Sequence, residues 1–400
     1  MKAVRTKPVL VLMLACVLLL MAGAADARAQ GTTVEMTTQP TQPKTAPAKP
    51  AAPIVAARAW VLVDARSGKY LAGNNASDRL AIASTTKIMV ALVALKEANL
   101  DEEVTVSEKA ASFAIPIYSN VGLFPGDKIT VRDLLKGTLI SSGDDAVYAL
   151  AQHLGGGSVE KFVDEMNQEA KTLGLKNTHF ENPSGLDVKG HYSSAQDLAT
   201  MTRLAFKYPQ FREMVGTQYA IISTQDREIQ LANTNLLLSS YPPATGVKTG
   251  TTPKAGHSLV ASASSGNESY VAVFLDSQED RFTAAARILE YGFSTYDRKN
   301  LVVRKQKYAE VKVPYRRGEK VGLVAQKDVE GLVDSRSSAK REAEVMKELP
   351  DSAKPGDKLG QIVLKVDGER VGESPLVAKK GYKKASLWER VWYTVGGVFQ

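Results

Sequence analysis

Hydrophobic spacing divides the central part of the chain into three successive patterns. A short apolar run at residues 60–64 is followed by a Gly-containing turn and a second apolar run, which together predict a β-hairpin. Helical spacing begins at residue 84, short strands and turns alternate over residues 101–141, and helical spacing then continues to residue 206. Two-residue alternation returns after residue 218. Helices enclosed between an early hairpin and late strands indicate an α+β domain over residues 54–297, with one antiparallel sheet assembled from both of its ends.

A different pattern begins near residue 298, where short alternating strands replace the helices. The pair Asp367-Gly368 stands between two of these strands and is typical of a two-residue hairpin turn. We therefore predict a small all-β domain over residues 298–382.

The last residues, 383–400, combine a basic approach with an apolar helical face. Lysines occupy positions 379, 380, 383 and 384. Five apolar residues then fall on one side of a helix: Leu387, Trp388, Val391, Trp392 and Val395. A basic flank and a Trp-bearing apolar face suit a helix that lies in the interface of a membrane. The alternative interpretation is a terminal helix docked on its own protein.

The first 29 residues have the pattern of a secretory signal peptide. A basic start precedes an apolar core, and small residues follow around Ala27. Residues 30–53 are rich in Thr, Gln, Pro and Ala, which predicts a disordered linker. The single cysteine, Cys16, lies inside the predicted signal, so we expect an exported protein without disulfides.

The charge and the histidines narrow the range of functions. The formal charge is +8, and because residues 1–29 hold four basic residues and one acidic residue, the remainder carries +5. This modest excess is too diffuse to indicate nucleic-acid binding. The spacing of His153, His179 and His257 matches no metal site, so we expect neither a metal nor a cofactor. We interpret His191 as structural.

Candidate chemistry begins with Ser84 and Lys87, which precede an apolar run at residues 88–95. Residues three positions apart share a helix face, so a hydroxyl and an amine would lie together at the start of a buried helix. The free N–H groups and the positive dipole of a helix N-terminus favour developing negative charge. This arrangement suits a serine nucleophile with a lysine base, although a serine at a helix start more often serves as a cap.

Two further motifs follow, and the three together are far more specific than any one alone. In order, the three motifs are Ser84-x-x-Lys87, Ser142-Gly143-Asp144 and Lys248-Thr249-Gly250. They resemble the signature of the penicillin-recognising serine acyl-transferases. Three longer segments are similar to D-alanyl-D-alanine carboxypeptidases of the type-5 branch of low-molecular-mass penicillin-binding proteins: residues 80–89, 182–187 and 191–199.

The resemblance implies a β-lactamase/transpeptidase-like fold for residues 54–297, with a helical subdomain beside the sheet. It also implies a β-rich domain over residues 298–382 and an amphipathic membrane anchor over residues 383–400. The implied activity is that of a serine carboxypeptidase that removes the terminal D-Ala from peptidoglycan stem peptides. The implied partners are the stem peptide, β-lactam antibiotics as covalent inhibitors, and a membrane surface, with no nucleic acid. We expect export to the periplasm or to the extracytoplasmic face of a bacterial inner membrane, with peripheral anchoring.

The resemblance assigns catalytic roles to three residues. Ser84 is the nucleophile and Lys87 its base, since a serine hydroxyl is weak until a base takes its proton. Ser142 relays the proton to the leaving amine. Lysine must be neutral to act as a base, and burial together with a second cation, for which we expect Lys248, lowers its pKa.

Substrate binding is assigned to a second group of residues. Lys248 and Thr249 would hold the terminal carboxylate of the substrate, and Gly250 would leave room for the substrate against the strand. The backbone N–H of Thr251, together with that of the nucleophile, would form the oxyanion hole. Asp144 completes the predicted binding residues.

Asp144 departs from the family pattern, which usually has Asn at this position. An Asn side chain can donate a hydrogen bond to a substrate carbonyl, whereas a carboxylate can only accept one. A carboxylate near Lys87 would also raise the pKa of its amine, so we predict an activity optimum on the alkaline side. The alternatives are a DD-endopeptidase or a β-lactamase on the same fold, or a non-catalytic scaffold that binds peptidoglycan.

Overall fold

The computed structural model describes residues 34–35 and 51–395. The predicted signal peptide, residues 1–29, lies outside the described residues. The chain forms two units, of which one ends at Asp297 and the other comprises the chain from Arg298 together with the strand at residues 34–35.

Both units are built from short elements joined by tight turns. A 3₁₀ turn, Ala83–Thr86, precedes the first helix. The helices are α1 Lys87–Glu97, α2 Glu108–Ala111, α3 Val131–Leu139, α4 Asp144–Leu154, α5 Val159–Thr172, α6 Ala195–Ala205, α7 Pro209–Gly216, α8 Leu237–Ser240, α9 Arg281–Thr295 and α10 Leu387–Val395. The strands are β1 Val34–Glu35, β2 Ala57–Asp64, β3 Tyr70–Asn74, β4 Glu103–Thr105, β5 Lys128–Thr130, β6 Tyr219–Ser223, β7 Glu228–Ala232, β8 Ala244–Thr252, β9 Gly256–Ser265, β10 Glu268–Ser277, β11 Asp297–Val302, β12 Lys307–Lys312, β13 Lys320–Ala325, β14 Val329–Val333, β15 Ala339–Val345, β16 Lys358–Val366 and β17 Glu369–Ala378.

The first unit is organised on a five-stranded antiparallel sheet in the order β3-β2-β10-β9-β8. The first hairpin, β2–β3, pairs with the late strand β10, so the predicted sheet from both ends of the domain is confirmed. Helices α6 and α9 pack on this sheet. Strand β8 lies at the edge, which leaves one side of its backbone available beyond the sheet.

Helix α1 is the centre of the helical part, because it is apolar on all sides and every residue from Lys87 to Ala94 is buried. It packs against α3, α4, α5 and α6. Each fully buried aliphatic side chain contributes about 1.5–3 kcal/mol, so this helix is firmly held. We predicted that the helix would begin at Ser84, but residues 83–86 form the 3₁₀ turn instead. The hydroxyls of Thr85 and Thr86 donate to the carbonyls three residues back, which stabilises this tighter turn.

The second unit contains a six-stranded sheet in the order β1-β15-β16-β17-β13-β12 and a two-stranded sheet of β11 and β14. Its core includes Leu323, Leu364 and Leu376, all fully buried. Asp367 and Gly368 both have positive φ angles, 54° and 87°, at the turn between β16 and β17, as the hairpin signal predicted. Strand β1 is a difference from the linker we expected there. An open sheet edge can pair with any short extended segment, so composition carried no signal for it.

Candidate active site

The 3₁₀ turn places Ser84 directly over the first residue of α1. The amine of Lys87 donates to Ser84 Oγ at 3.0 Å, to Asp144 Oδ1 at 2.6 Å and to the Ser184 carbonyl at 3.3 Å. Lys87 is fully buried, whereas Ser84 is partly exposed. A hydroxyl open to a ligand and backed by a buried amine is suited to attack a carbonyl carbon.

Two opposing effects act on the amine of Lys87. Burial lowers its pKa and is the larger effect, while the carboxylate of Asp144 raises it through charge and a hydrogen bond. The net pKa is below the ordinary value for lysine. The direction that we predicted for the effect of Asp144 is therefore right, but burial outweighs it, and the alkaline optimum stays a prediction.

Ser142 and Asp144 are brought to the site by the turn that begins α4. Ser142 is buried and has a φ of +63°, a left-handed conformation that costs a non-glycine residue roughly 1–2 kcal/mol. Such strain is typical of functional sites. Among the described residues, the hydrogen bonds of Lys87 go to Ser84, Asp144 and Ser184, so the relay through Ser142 stays a prediction.

Lys248 lies on the edge strand β8 and is buried to the same degree as Lys87. Its amine donates to the Thr249 carbonyl at 3.2 Å. Burial lowers its pKa well below the ordinary value, and the nearby charges of Lys87 and Arg281 lower it further. The second cation that we expected beside Lys87 is therefore close enough to interact with it.

Gly250 has a structural role beside the predicted one. A side chain at this position would lie 3.0 Å from the Ile82 carbonyl oxygen and from Ala83 Cβ, and 3.1 Å from the Ser84 nitrogen. The nucleophile turn lies where a Cβ would be, and the room for a substrate stays a prediction. The glycine lets β8 pack closely on the 3₁₀ turn. Thr251, the next residue, is exposed.

Arg281 is a residue of the site that we did not predict. Its guanidinium donates to the Gly250 carbonyl at 2.8 Å and to Thr251 Oγ1 at 3.0 Å. Thr249 has a further unpredicted neighbour, Thr234, with 2.6 Å between the two hydroxyls. Both neighbours lie outside strand β8. In the sequence, Arg281 at a helix start and Thr234 belong to none of the three motifs, so no local pattern marked them as site residues.

His191 supports the nucleophile turn, as the structural interpretation expected. Its Nδ1 accepts from the Glu181 N–H, so Nε2 carries the proton and donates to Thr86 Oγ1 at 2.8 Å. Burial lowers the pKa of His191 to about 4, which keeps the ring neutral. The Thr86 hydroxyl in turn donates to the Ala83 carbonyl, next to the nucleophile.

Comparison with known proteins identifies the family. The profile described as D-alanyl-D-alanine carboxypeptidase matches residues 45–279, more than half of the chain. The chain belongs to the D-alanyl-D-alanine carboxypeptidase family. A second profile, that of the penicillin-binding protein 5 C-terminal domain, matches residues 296–384. The predicted family and enzyme class, a serine hydrolase, are confirmed.

Several relatives of this carboxypeptidase match over most of their length. The carboxypeptidase DacF of Bacillus subtilis is 37% identical over 85% of this chain and 89% of its own. DacC of Escherichia coli is 34% identical over 85% of this chain and 88% of its own. The crystal structure of DacD from Francisella tularensis is 26% identical, with a TM-score of 0.64 over 84% of this chain and 96% of that one.

A match to the first unit alone comes from the Streptomyces K15 DD-transpeptidase. Its crystal structure is 37% identical, with a TM-score of 0.58, and covers 61% of this chain and 99% of its own. The predicted fold class, an α+β penicillin-binding domain followed by a β-rich domain, is therefore confirmed for this carboxypeptidase.

Proposed function

We propose that this carboxypeptidase removes the terminal D-Ala from peptidoglycan stem peptides through an acyl-enzyme on Ser84. The observation that carries the proposal is the Ser84 hydroxyl, partly exposed and 3.0 Å from the amine of the buried Lys87. No cofactor enters this mechanism, because the hydroxyl and the amine supply the nucleophile and the base.

Acylation begins when neutral Lys87 takes the proton from Ser84 and the hydroxyl oxygen attacks the scissile carbonyl carbon. The backbone N–H groups of Ser84 and Thr251 hold the resulting oxyanion. The C–N bond then breaks, and the leaving D-Ala amine receives the proton from Lys87 through Ser142. Water next hydrolyses the ester, which releases the shortened peptide and restores the serine.

Two features of the site support a substrate that ends in a carboxylate. Lys248 is buried and its amine has a backbone carbonyl as its described hydrogen-bond partner, so a substrate carboxylate would pair with this amine and favour its charged form. Thr249 and Arg281 lie beside it. Strand β8 is an edge strand, to which an extended peptide can add by backbone hydrogen bonds.

The test is mass spectrometry of the protein after exposure to benzylpenicillin, combined with an assay of D-Ala release from a pentapeptide. We expect one adduct, mapped to Ser84, and no D-Ala release by Ser84→Ala. D-Ala release by this variant at the wild-type rate would refute the mechanism.

The same assays address the alternative activities. A β-lactamase would hydrolyse benzylpenicillin rapidly and show no lasting adduct, and an endopeptidase would cleave a cross-linked stem-peptide dimer faster than the pentapeptide. The similarity to a DD-transpeptidase adds one more assay, because an acyl-enzyme can also be attacked by an amine. Each acylation releases one D-Ala in either case, so peptide–amine formation that exceeds formation of the hydrolysed peptide when an amine acceptor is added would favour transfer.

We also propose that helix α10 holds the protein at a membrane surface. Its polar face is fixed to the β-rich unit, because Arg390 pairs with Asp351 at 2.7 Å and Glu389 lies 3.7 Å from Arg316. Its apolar face is open, with Leu387, Trp388 and Trp392 exposed by 82%, 76% and 70%. Helix α10 therefore contacts the β-rich unit with one face and would contact the membrane with the other. In residues 51–395, no helix has the length and apolar character needed to cross a bilayer.

Export and anchoring can be tested in one series. We expect the full chain, expressed in a bacterium, to lose its N-terminal segment and to sediment with vesicles that contain phosphatidylglycerol. Substitution of both Trp388 and Trp392 by Ala should abolish sedimentation, while the exposed Tyr219→Ala control leaves it unchanged. Equal sedimentation of the double variant would refute the anchor.

A further inference from the structure

We propose that Asn182 is a positioning residue, which aims the lone pair of Lys87 at Ser84 by fixing the carbonyl of Ser184. This inference rests on the proposed function, since it concerns the base of the same acylation step.

The contacts of Lys87 explain why a carbonyl matters. A neutral amine has two N–H donors and one lone pair. Asp144 Oδ1 and the Ser184 carbonyl lie 2.6 Å and 3.3 Å from Nζ, so they can accept both N–H groups. The lone pair then faces the Ser84 hydroxyl, 3.0 Å away. With only one acceptor in place, the amine could rotate among staggered positions and direct the lone pair elsewhere.

The Ser184 carbonyl is in turn set by one side chain. The Oδ1 atom of Asn182 accepts from the backbone N–H groups of Ser184, Gly185 and Leu186, at 3.2, 2.7 and 3.1 Å, and from the Ser184 hydroxyl at 3.0 Å. Its Nδ2 group donates to the Leu186 carbonyl at 3.0 Å. A single amide therefore bonds the backbone of three successive residues in this turn, while the Ser184 side chain also bonds Tyr148.

This turn is also pressed against the catalytic elements on two sides. Gly185 has a φ of +89°, and a side chain there would overlap the Ala83 carbonyl, next to the nucleophile. Asp187 accepts from Thr252 Oγ1 at 2.8 Å and from the Lys254 N–H at 2.9 Å, at the end of β8. The turn is thus held at Gly185 and at Asp187. Loss of the Asn182 side chain would therefore permit rotation of the Ser184 peptide group rather than movement of the whole turn.

The test compares Asn182→Ala with Asn167→Ala. Asn167 makes the same kind of contact, since its side chain exchanges two hydrogen bonds with the backbone of Phe180. The described hydrogen bonds of Lys87 go to other residues, so Phe180 does not orient its amine in this way. The readouts are the rate of acylation by benzylpenicillin, kcat and KM for D-Ala release, and the pH dependence of acylation. Melting temperatures establish that both variants fold.

We expect Asn182→Ala to lower the acylation rate and kcat by about 10- to 100-fold, as a misplaced catalytic group does, with KM changed less than about threefold. The pH range in which its acylation rate rises should move to lower pH. The reason is that the ammonium form of Lys87 loses the Ser184 carbonyl as a hydrogen-bond acceptor. The charged groups that act on Lys87 are Asp144 and Asp145 on α4 and Lys248 on β8, and all three remain in both variants. Asn167→Ala should change neither the acylation rate nor kcat by more than about twofold.

The inference is overturned if Asn182→Ala acylates at the wild-type rate, if its loss lies in KM alone, or if Asn167→Ala loses as much. Should Asn182→Ala fail to fold, Asn182→Asp replaces it, because that variant keeps the accepting oxygen, although it loses the donor to Leu186 and adds a negative charge. At high pH, where Lys87 is neutral, it should retain most of the acylation rate, and a loss there of about 10-fold or more would overturn the inference. Absence of any Ser84 adduct in the unaltered protein would instead refute the proposed function.

Discussion

Replacing Asp144 by Asn removes the negative charge beside the Lys87 amine. The Asn side chain still has an oxygen that can accept the hydrogen bond of this amine. The two side chains are 2.6 Å apart and only 0% and 7% exposed, so solvent screens their interaction little. An opposite charge at such a distance stabilises the charged form of the amine. We therefore expect the pKa of Lys87 to fall in Asp144→Asn.

The sign of the rate change follows from the role of Lys87 as a base. Acylation depends on the neutral amine, so the wild-type rate rises with pH through the pKa of Lys87. In Asp144→Asn this acid limb should move to lower pH, and at pH values below the pKa of Lys87 in both proteins each pH unit of displacement is about a tenfold gain in rate. At high pH, where the amine is neutral in both proteins, the charge gives no advantage.

The assay is the second-order rate constant for acylation by benzylpenicillin, measured between pH 6 and pH 10, with Asp133→Asn as a control. Asp133 also pairs with a lysine, at 2.8 Å, but this pair is on the outer side of α3. An acid limb that stays in place, or that moves to higher pH, would refute the idea that Asp144 restrains the base.

Three further variants test separate parts of the site. Asp145 is fully buried and accepts N–H groups from residues 121–123, so Asp145→Ala should reduce the free energy of unfolding by at least ~3 kcal/mol, at ~1–3 kcal/mol per stranded donor, in a urea titration. Gly250→Ala should lower acylation by at least about tenfold, because its Cβ displaces the Ser84 turn; unchanged acylation would contradict the close-packing role. Lys248→Gln should lower kcat/KM by about 10- to 100-fold for a carboxylate-ended peptide, the equivalent of one charge-assisted hydrogen bond, but not for the corresponding amide. An equal loss with both peptides would exclude recognition of the carboxylate.

The residues of the three motifs were predictable because their chemistry resides in side chains at fixed spacing. The spacing of Ser84 and Lys87 indicated contact, and the apolar run after them indicated burial. The carbonyl of Ser184 could not be anticipated in this way, since a backbone group has no residue type of its own. Its position depends on how the 182–187 turn folds and on close approach at Gly185.

The role of Gly250 illustrates a second limit of sequence reasoning. A glycine after Lys248 and Thr249 indicates a close approach to the strand but does not identify the group that approaches. That group, the nucleophile turn, lies more than 160 residues earlier in the chain. Arg281 was missed for the same reason, because a contact between distant elements has no local pattern.

The two buried lysines also act on each other, and this coupling suggests how the base becomes neutral when it is needed. Lys87 and Lys248 repel, so the loss of one proton is favoured. Without substrate, Asp144 favours the charged form of Lys87, and the repulsion lowers the pKa of Lys248. A substrate carboxylate beside Lys248 would stabilise its charged form, and the repulsion would then fall on Lys87. In the proposed reaction, the substrate itself would therefore weaken the hold of Lys87 on its proton, which a site with Asp144 requires more than a site with Asn.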